Sequence, residues 1–276
     1  MEHPYTHIFP DAKVIQNCKP DGTSNMILLV GSDVLKIFRR RRSALREFVG
    51  EWAVRWIERK RGVSRKTRHA TEKRSLKTWS RYGFDVMRTR DIPPPAGVDD
   101  PVIWMEYCPG RPLTRLMADP AVAWEEKMDH LRRVAREMSR RHSLAWKNDE
   151  RFLVHERGSL KHVMIWDDRQ VRFDFEAGYY PNCPMEEALA QEMAGMLRSL
   201  AQATGDRFEE TLPIFVEAYD EPERLGRIAD WALHHVGFIR ILKRWSERWR
   251  RKGPRHVALF RRLKSAAEPY TSGKSA

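Results

Sequence analysis

Leu153-Val154-His155-Glu156-Arg157-Gly158-Ser159-Leu160-Lys161-His162-Val163-Met164-Ile165-Trp166-Asp167-Asp168-Arg169-Gln170-Val171-Arg172-Phe173-Asp174-Phe175-Glu176-Ala177-Gly178 is the stretch whose reading decides the fold. Leu153-Val154 runs into a polar loop at His155–His162. Val163–Ile165 then reads as a short buried strand, Asp167-Asp168 as a hairpin turn and Val171–Phe173 as the returning strand. A second polar loop opens at Asp174. Two loops of charged side chains therefore meet at one end of a hairpin, an arrangement able to hold a metal ion against a phosphate.

The rest of the chain supplies enough apolar material for such a site to rest on. Of 276 residues, 41% are hydrophobic and 10% aromatic, which excludes a disordered chain and suits one large domain or two lobes around a cleft. The formal net charge of +13 points to an anionic partner: nucleotide phosphates, nucleic acid, a phosphorylated glycolipid or an acidic membrane surface. Cys18, Cys108 and Cys183 show neither metal-ligand spacing nor a disulfide framework, so a reducing cytoplasm is expected. Met1-Glu2-His3-Pro4 lacks a basic region followed by an apolar stretch and no run approaches 18 apolar residues, so neither export nor a membrane span is expected. Zinc spacings and RNA-recognition signatures are missing, so nucleic acid is not the expected partner.

Before the central hairpin, Lys13–Ile15, Met26–Val30 and Val34–Phe38 alternate like three antiparallel strands, joined by turns at Pro20–Asn25 and Gly31–Asp33. Lys36 lies among apolar strand residues. A basic amphipathic helix is expected over about 43–60 and a second from Ala70 to Gly83 carrying Glu72, Leu76, Trp79 and Tyr82. Phe84–Met87 reads as a strand, Asp91–Pro95 as a rigid connector and Val102–Tyr107 as the clearest strand of all, running into Cys108-Pro109-Gly110. Beyond it, helical spacing marks about 122–146 (Met128, Leu131, Val134, Ala135, Met138), the Leu189–Leu200 region and Leu212–Tyr219.

From Trp231 to Lys264, Trp231, Phe238, Trp245, Trp249 and Phe260 are interleaved with eleven Arg and Lys residues. Such a segment either lies at an anionic membrane interface or packs its rings on its own lobe. Residues 265–276 are expected to fray.

The order of these pieces resembles the protein-kinase-like superfamily. In that superfamily His-Arg-Asp, with Asn five residues after the Asp, leads through a hairpin to Asp-Phe-Gly. Here His155 takes the first position, Asp174-Phe175-Glu176 the last, and His162 the place of Asn. Arg157 stands where the catalytic Asp is usual, with Glu156 beside it. His in the Asn position looks most like the kinases of the lipopolysaccharide core.

The resemblance implies an α+β, two-lobed fold: a small antiparallel-sheet lobe over 1–107, a mostly helical lobe over 108–230 and a basic extension over 231–276. It implies that the turn at Gly22 covers nucleotide phosphates and that Lys36 holds the α/β-phosphates. Glu72 orients Lys36 in this reading, with Glu47 and Glu51 as rivals. Backbone groups around Glu106, Tyr107 and Cys108 meet adenine, Asp174 and His162 bind Mg²⁺, and Glu156 and Arg157 flank the transferred group. The implied activity is ATP-dependent phosphorylation of a lipopolysaccharide-core sugar by a cytoplasmic protein, peripheral on the inner membrane. A pseudokinase scaffold and a small atypical Ser/Thr protein kinase are the alternatives.

Overall fold

The computed structural model describes residues 5–16, 25–39, 43–234 and 256–272. In chain order the elements are β1 (Lys13–Gln16), β2 (Met26–Val30), β3 (Asp33–Ile37), α1 (Ala44–Ala53), β4 (Lys60–Arg61), α2 (Arg65–Arg81), β5 (Thr89–Arg90) and β6 (Val102–Glu106). They continue with β7 (Arg111–Pro112), α3 (Leu113–Ala118), α4 (Trp124–Asn148), β8 (Val163–Trp166), β9 (Arg169–Arg172) and β10 (Gly178–Tyr179). Helices α5 (Met185–Thr204), α6 (Phe208–Tyr219), α7 (Pro222–His234) and α8 (His256–Ser272) complete the described chain. The fold class is α+β, with a small antiparallel sheet followed by a mostly helical part.

The chain forms two compact units, the first of residues 1–110 with 171–180 and the second of residues 111–170 with 181–276. The expected boundaries, 107/108 and 230/231, differ from this division. The segment after the hairpin belongs with the N-terminal unit, and the described C-terminal helix belongs with the second unit.

In the first unit, five antiparallel strands lie in the order β1-β2-β3-β6-β5. The β2–β3 register pairs Val30 with Asp33, leaving Gly31-Ser32 as a two-residue loop whose Gly31 has φ 61°. Period-two alternation sends Met26, Leu28, Leu35, Ile37 and Trp104 into one core, with Tyr5, Ile8 and Phe9 packed against it. Lys36, one residue out of phase on β3, faces the other way and bonds to α2.

Helix α2 begins five residues before the expected Ala70. The Ser64 hydroxyl caps it by accepting from the Thr67 N–H at 3.2 Å. Its first turn carries Arg65, Lys66 and Arg68, cations that oppose the helix dipole. Glu51 supplies the missing negative charge, accepting from the N–H groups of Val63 and Ser64 and from the Thr67 hydroxyl at 2.8–3.0 Å. The helix stops at Tyr82, and Gly83 follows with φ 74°.

The expected helix over 43–60 is α-helical only to Ala53, then widens into a π turn over Val54–Glu58. Phe84–Met87 forms one bridge, Val86 with Arg172, in place of a full strand.

In the second unit, α4 is about 38 Å long and buries Met128, Leu131, Val134, Ala135 and Met138 along one face. It packs on α6, and α5 packs on α7. The β8–β9 turn has Asp167 and Asp168 at φ 46° and 60°, the pair of left-handed residues that a tight two-residue hairpin requires.

Helix α8 lies along α7 and buries Leu259, Phe260, Leu263 and Ala267. That i, i+4 anchoring extends the helix to Ser272, correcting the expectation of fraying for residues 265–272, while residues 273–276 lie outside the described residues. Within the described part of the C-terminal stretch, Phe260 therefore faces inward, while Lys264 pairs with Asp230 at 2.7 Å. Phe238, Trp245 and Trp249 lie outside the described residues. No helix among the described residues is long and apolar enough to cross a membrane.

Two glycines show how tightly the His155–His162 loop is packed. A Cβ at Gly158 would lie 2.6 Å from the Glu192 carbonyl oxygen, and one at Gly195 would lie 2.7 Å from the Gly158 carbonyl oxygen. Gly226, in the middle of α7, has open space at the same position. Gly195→Ala is therefore expected to destabilise the protein by about 1–3 kcal/mol through overpacking. Gly226→Ala is expected to stabilise it by about 0.5–1 kcal/mol. Urea melts of the two variants check the opposite signs.

Candidate functional site

Lys36 is 5% exposed, and an ammonium so deeply removed from water requires countercharges. Its Nζ donates to Glu72 Oε2 at 2.6 Å and lies 3.0 Å from Glu176 Oε1 and 3.6 Å from Asp174 Oδ1. Of the three candidate Glu partners, Glu72 is the one bonded to Lys36. Glu51 anchors the start of α2, and Glu47 is buried within α1.

Arg68, with 0% exposure, adds a second cation. Its guanidinium donates to Glu176 Oε2 at 3.2 Å, to the Asn25 side-chain oxygen and to the Arg39 carbonyl. The Asn25 amide donates in turn to Glu176. Two cations and three carboxylates thus share one buried cluster with an excess of negative charge.

The titration behaviour follows from that imbalance. Burial works to lower the Lys36 pKa, but the fields of Glu72, Glu176 and Asp174 overcome it, so the ammonium stays charged above its ordinary range. Glu72 is pushed up to about 7, by burial first and by repulsion from Glu176 and Asp174, against the pull of Lys36. The same carboxylates that raise Lys36 also repel Glu72, but burial is the larger cause of the Glu72 shift.

Local backbone places the anions. Asp174 has φ 68°, in the left-handed region, and its side chain keeps 20% exposure. Phe175 lies edge-on to Trp79 of α2 at 4.8 Å. The β10–β4 pair then ties Gly178 to Arg61. Gly62 makes this possible, because a Cβ there would come within 2.2 Å of the Glu176 carbonyl oxygen.

The second unit holds the other expected residues. Glu192, fully buried on α5, accepts from the His155 backbone N–H at 3.0 Å, from Arg141 at 2.9 Å and from His142 Nε2 at 3.2 Å. The His142 Nδ1 meets the Tyr219 hydroxyl at 2.8 Å, so a neutral ring accepts there. Burial would raise the Glu192 carboxyl, yet Arg141 and His142 hold it well below the usual carboxylate range. Burial lowers His142 despite Glu192.

Within the loop, the rings of His155 and His162 stack at 5.4 Å. His155 Nδ1 accepts from the Arg157 N–H at 3.2 Å, and His162 Nδ1 lies 3.0 Å from the Arg157 carbonyl. The carbonyl can only accept, so His162 Nδ1 carries a proton. Glu156 and Arg157 lie 3.7 Å apart, with Arg157 the more exposed.

At the end of β6, the Glu106 N–H is already bonded to the Arg88 carbonyl at 2.9 Å, and its carboxylate accepts from the Arg88 N–H at 3.1 Å. Tyr107 is 39% exposed and Cys108 is buried. Gly22 lies outside the described residues.

Among the described residues no three His, Cys, Asp or Glu side chains converge as a metal cage. Mg²⁺ rarely uses such a cage; one or two protein ligands with phosphate oxygens and water suffice. Asp174, with 20% exposure, is the member of the cluster that keeps contact with solvent. Comparison with protein-family models and with curated proteins finds no match for this chain. Glu176, Arg68 and Asn25 are the members of the cluster that sequence reasoning missed.

The sign of the acid sensitivity follows from Glu192. Its native pKa lies below the ordinary 4.5, so its stabilisation is present above that pH and fades as pH falls through the native value. Glu192→Gln is expected to lose about 2–4 kcal/mol at neutral pH by removing the fully buried counterion of Arg141, which keeps only Glu137 at 3.0 Å. The gap to wild type should narrow as pH drops below about 4.5, as read by denaturant melts across pH.

Proposed function

We propose that the protein is an ATP-dependent phosphotransferase of the protein-kinase-like superfamily, acting on a sugar hydroxyl of the lipopolysaccharide core. The observation that supports it most is the meeting of Lys36 from β3, Glu72 from α2 and Asp174 from beyond the β8–β9 hairpin in one buried cluster. A strand lysine, a helix glutamate and an aspartate after a hairpin are the three groups that this superfamily uses on a nucleotide triphosphate. The net charge of +13 suits an anionic glycolipid acceptor.

In this reading Lys36 binds the α/β-phosphates. Its raised pKa keeps it cationic at every physiological pH. Glu72 fixes the direction of the ammonium, and phosphate oxygens take over the places now held by Glu176 and Asp174. Asp174 is assigned to Mg²⁺, which when bound would neutralise charge on the β- and γ-phosphates. Glu156 is assigned to orient the acceptor hydroxyl, since it is the carboxylate beside the position where Asp is usual. Arg157 is assigned to the charge of the transferred group. The work is positioning and electrostatic stabilisation, which a displaced carboxylate can perform at a reduced rate.

Arg157 also favours a second reading, a pseudokinase that binds nucleotide without turnover, because a guanidinium cannot take a proton. The two readings separate in one experiment. A phosphotransferase converts Mg·ATP, and Asp174→Ala abolishes turnover; a pseudokinase is stabilised by Mg·ATP and turns over nothing with any acceptor. Turnover that survives Asp174→Ala would remove the assignment of the site.

Lys36→Met gives an independent check on the nucleotide. It is expected to remove the thermal shift produced by Mg·ATP and to destabilise the unliganded protein by about 3–5 kcal/mol, since Glu72 loses its buried partner. Differential scanning fluorimetry and denaturant melts read the two effects.

A further inference from the structure

Helix α1 turns its polar side inward. Glu47 is 7% exposed, and Glu51, one turn later, bonds to the start of α2. The outward stripe is apolar: Leu45, Phe48, Val49, Trp52 and Trp56 recur at three- and four-residue spacing. Leu45 and Phe48 are each 71% exposed, Trp56 is 65% and Trp52 is 58%. Single exposed apolar side chains are ordinary, but a continuous stripe with two indoles marks a contact surface.

The surroundings say what it contacts. Residues 39–68 hold twelve Arg and Lys against three Glu, and Arg55, Arg59 and Lys66 are exposed around the stripe. A second copy of so basic a surface would repel it. An anionic bilayer offers the opposite charge and needs no matching shape. The α-helical part is about 15 Å long, half of what spanning requires, so it can lie only in the plane of the interface. Indoles are at their best at that depth, with cations reaching the lipid phosphates.

We infer that the apolar face formed by Leu45–Trp52 of α1 and Trp56 of the π turn that follows docks the protein on anionic membrane, with Trp52 and Trp56 at headgroup depth. The inference does not depend on phosphotransfer, although a membrane-borne glycolipid acceptor would make docking useful.

The test uses the full chain and vesicles of phosphatidylcholine, alone or equimolar with phosphatidylglycerol, without nucleotide or glycolipid. Co-sedimentation is expected only with the anionic vesicles, to weaken with salt, and to fall about tenfold or more in Trp52→Ser/Trp56→Ser. Leu45→Ser/Val49→Ser removes the same face without touching an indole and should behave alike, with circular dichroism melts matching wild type. The thermal shift with Mg·ATP, measured on the same variants, should not change, so failure here and failure of the phosphotransfer reading are told apart. The inference is overturned if either variant sediments like wild type, if wild type binds neutral vesicles equally or none, or if wild type is a dimer that the variants convert to monomer.

Discussion

An ammonium group taken almost wholly out of water carries a desolvation penalty of several kcal/mol, which only close countercharges offset. Lys36 meets that demand with Glu72, Glu176 and Asp174. Much of the first unit's irregularity serves to bring them there. The inner face of α2 begins with Arg68 and Glu72 before it turns apolar at Leu76 and Trp79. Asp174 adopts a left-handed backbone, and Gly62 clears the space against Glu176. With three anions around it, Lys36 is both charged and fixed in direction, the two properties an anion-binding lysine needs.

The second unit solves a different problem with the same means. The loop at His155–His162 has backbone N–H groups with no strand or helix to take them, and buried donors must be satisfied. Glu192 accepts from His155 while paired with Arg141, and Ser199 accepts from Leu160, so two residues of α5 hold the loop. Gly158 and Gly195 let the loop backbone sit directly on α5. The side chains of Glu156 and Arg157 are thereby presented from a rigid base, and a site built on packed supports keeps its geometry better than one on a free loop.

Strand alternation made β2, β3 and β6 legible, and one lysine out of character on β3 pointed to the buried charge. Glu72 stood out among three glutamates through the resemblance to the kinase-like helix whose Glu pairs with the strand Lys, lying one turn before Leu76. The remaining members were hidden for physical reasons. Arg68 lies in a run of arginines and lysines, and nothing in a basic run distinguishes the one cation that is buried. Asn25 sits at the end of a turn, where its type is usual for local bonding. Glu176 follows a strand as an ordinary loop residue would. Periodicity likewise disclosed the apolar stripe of α1 but not its direction, since a moment has magnitude and phase without a core to refer to. The early start of α2 was masked by cations in its first turn, which only the distant Glu51 makes tolerable.

The first unit is discontinuous in sequence, and that has a consequence for how it is made. On the ribosome, β1 to β6 emerge well before residues 171–180, so until that segment appears Lys36 lacks Asp174 and Glu176, and Arg68 lacks its carboxylate. Water must solvate those groups in the interval. The N-terminal unit is therefore held unfinished until the hairpin has been translated, and its maturation is timed by the appearance of the segment that carries the aspartate.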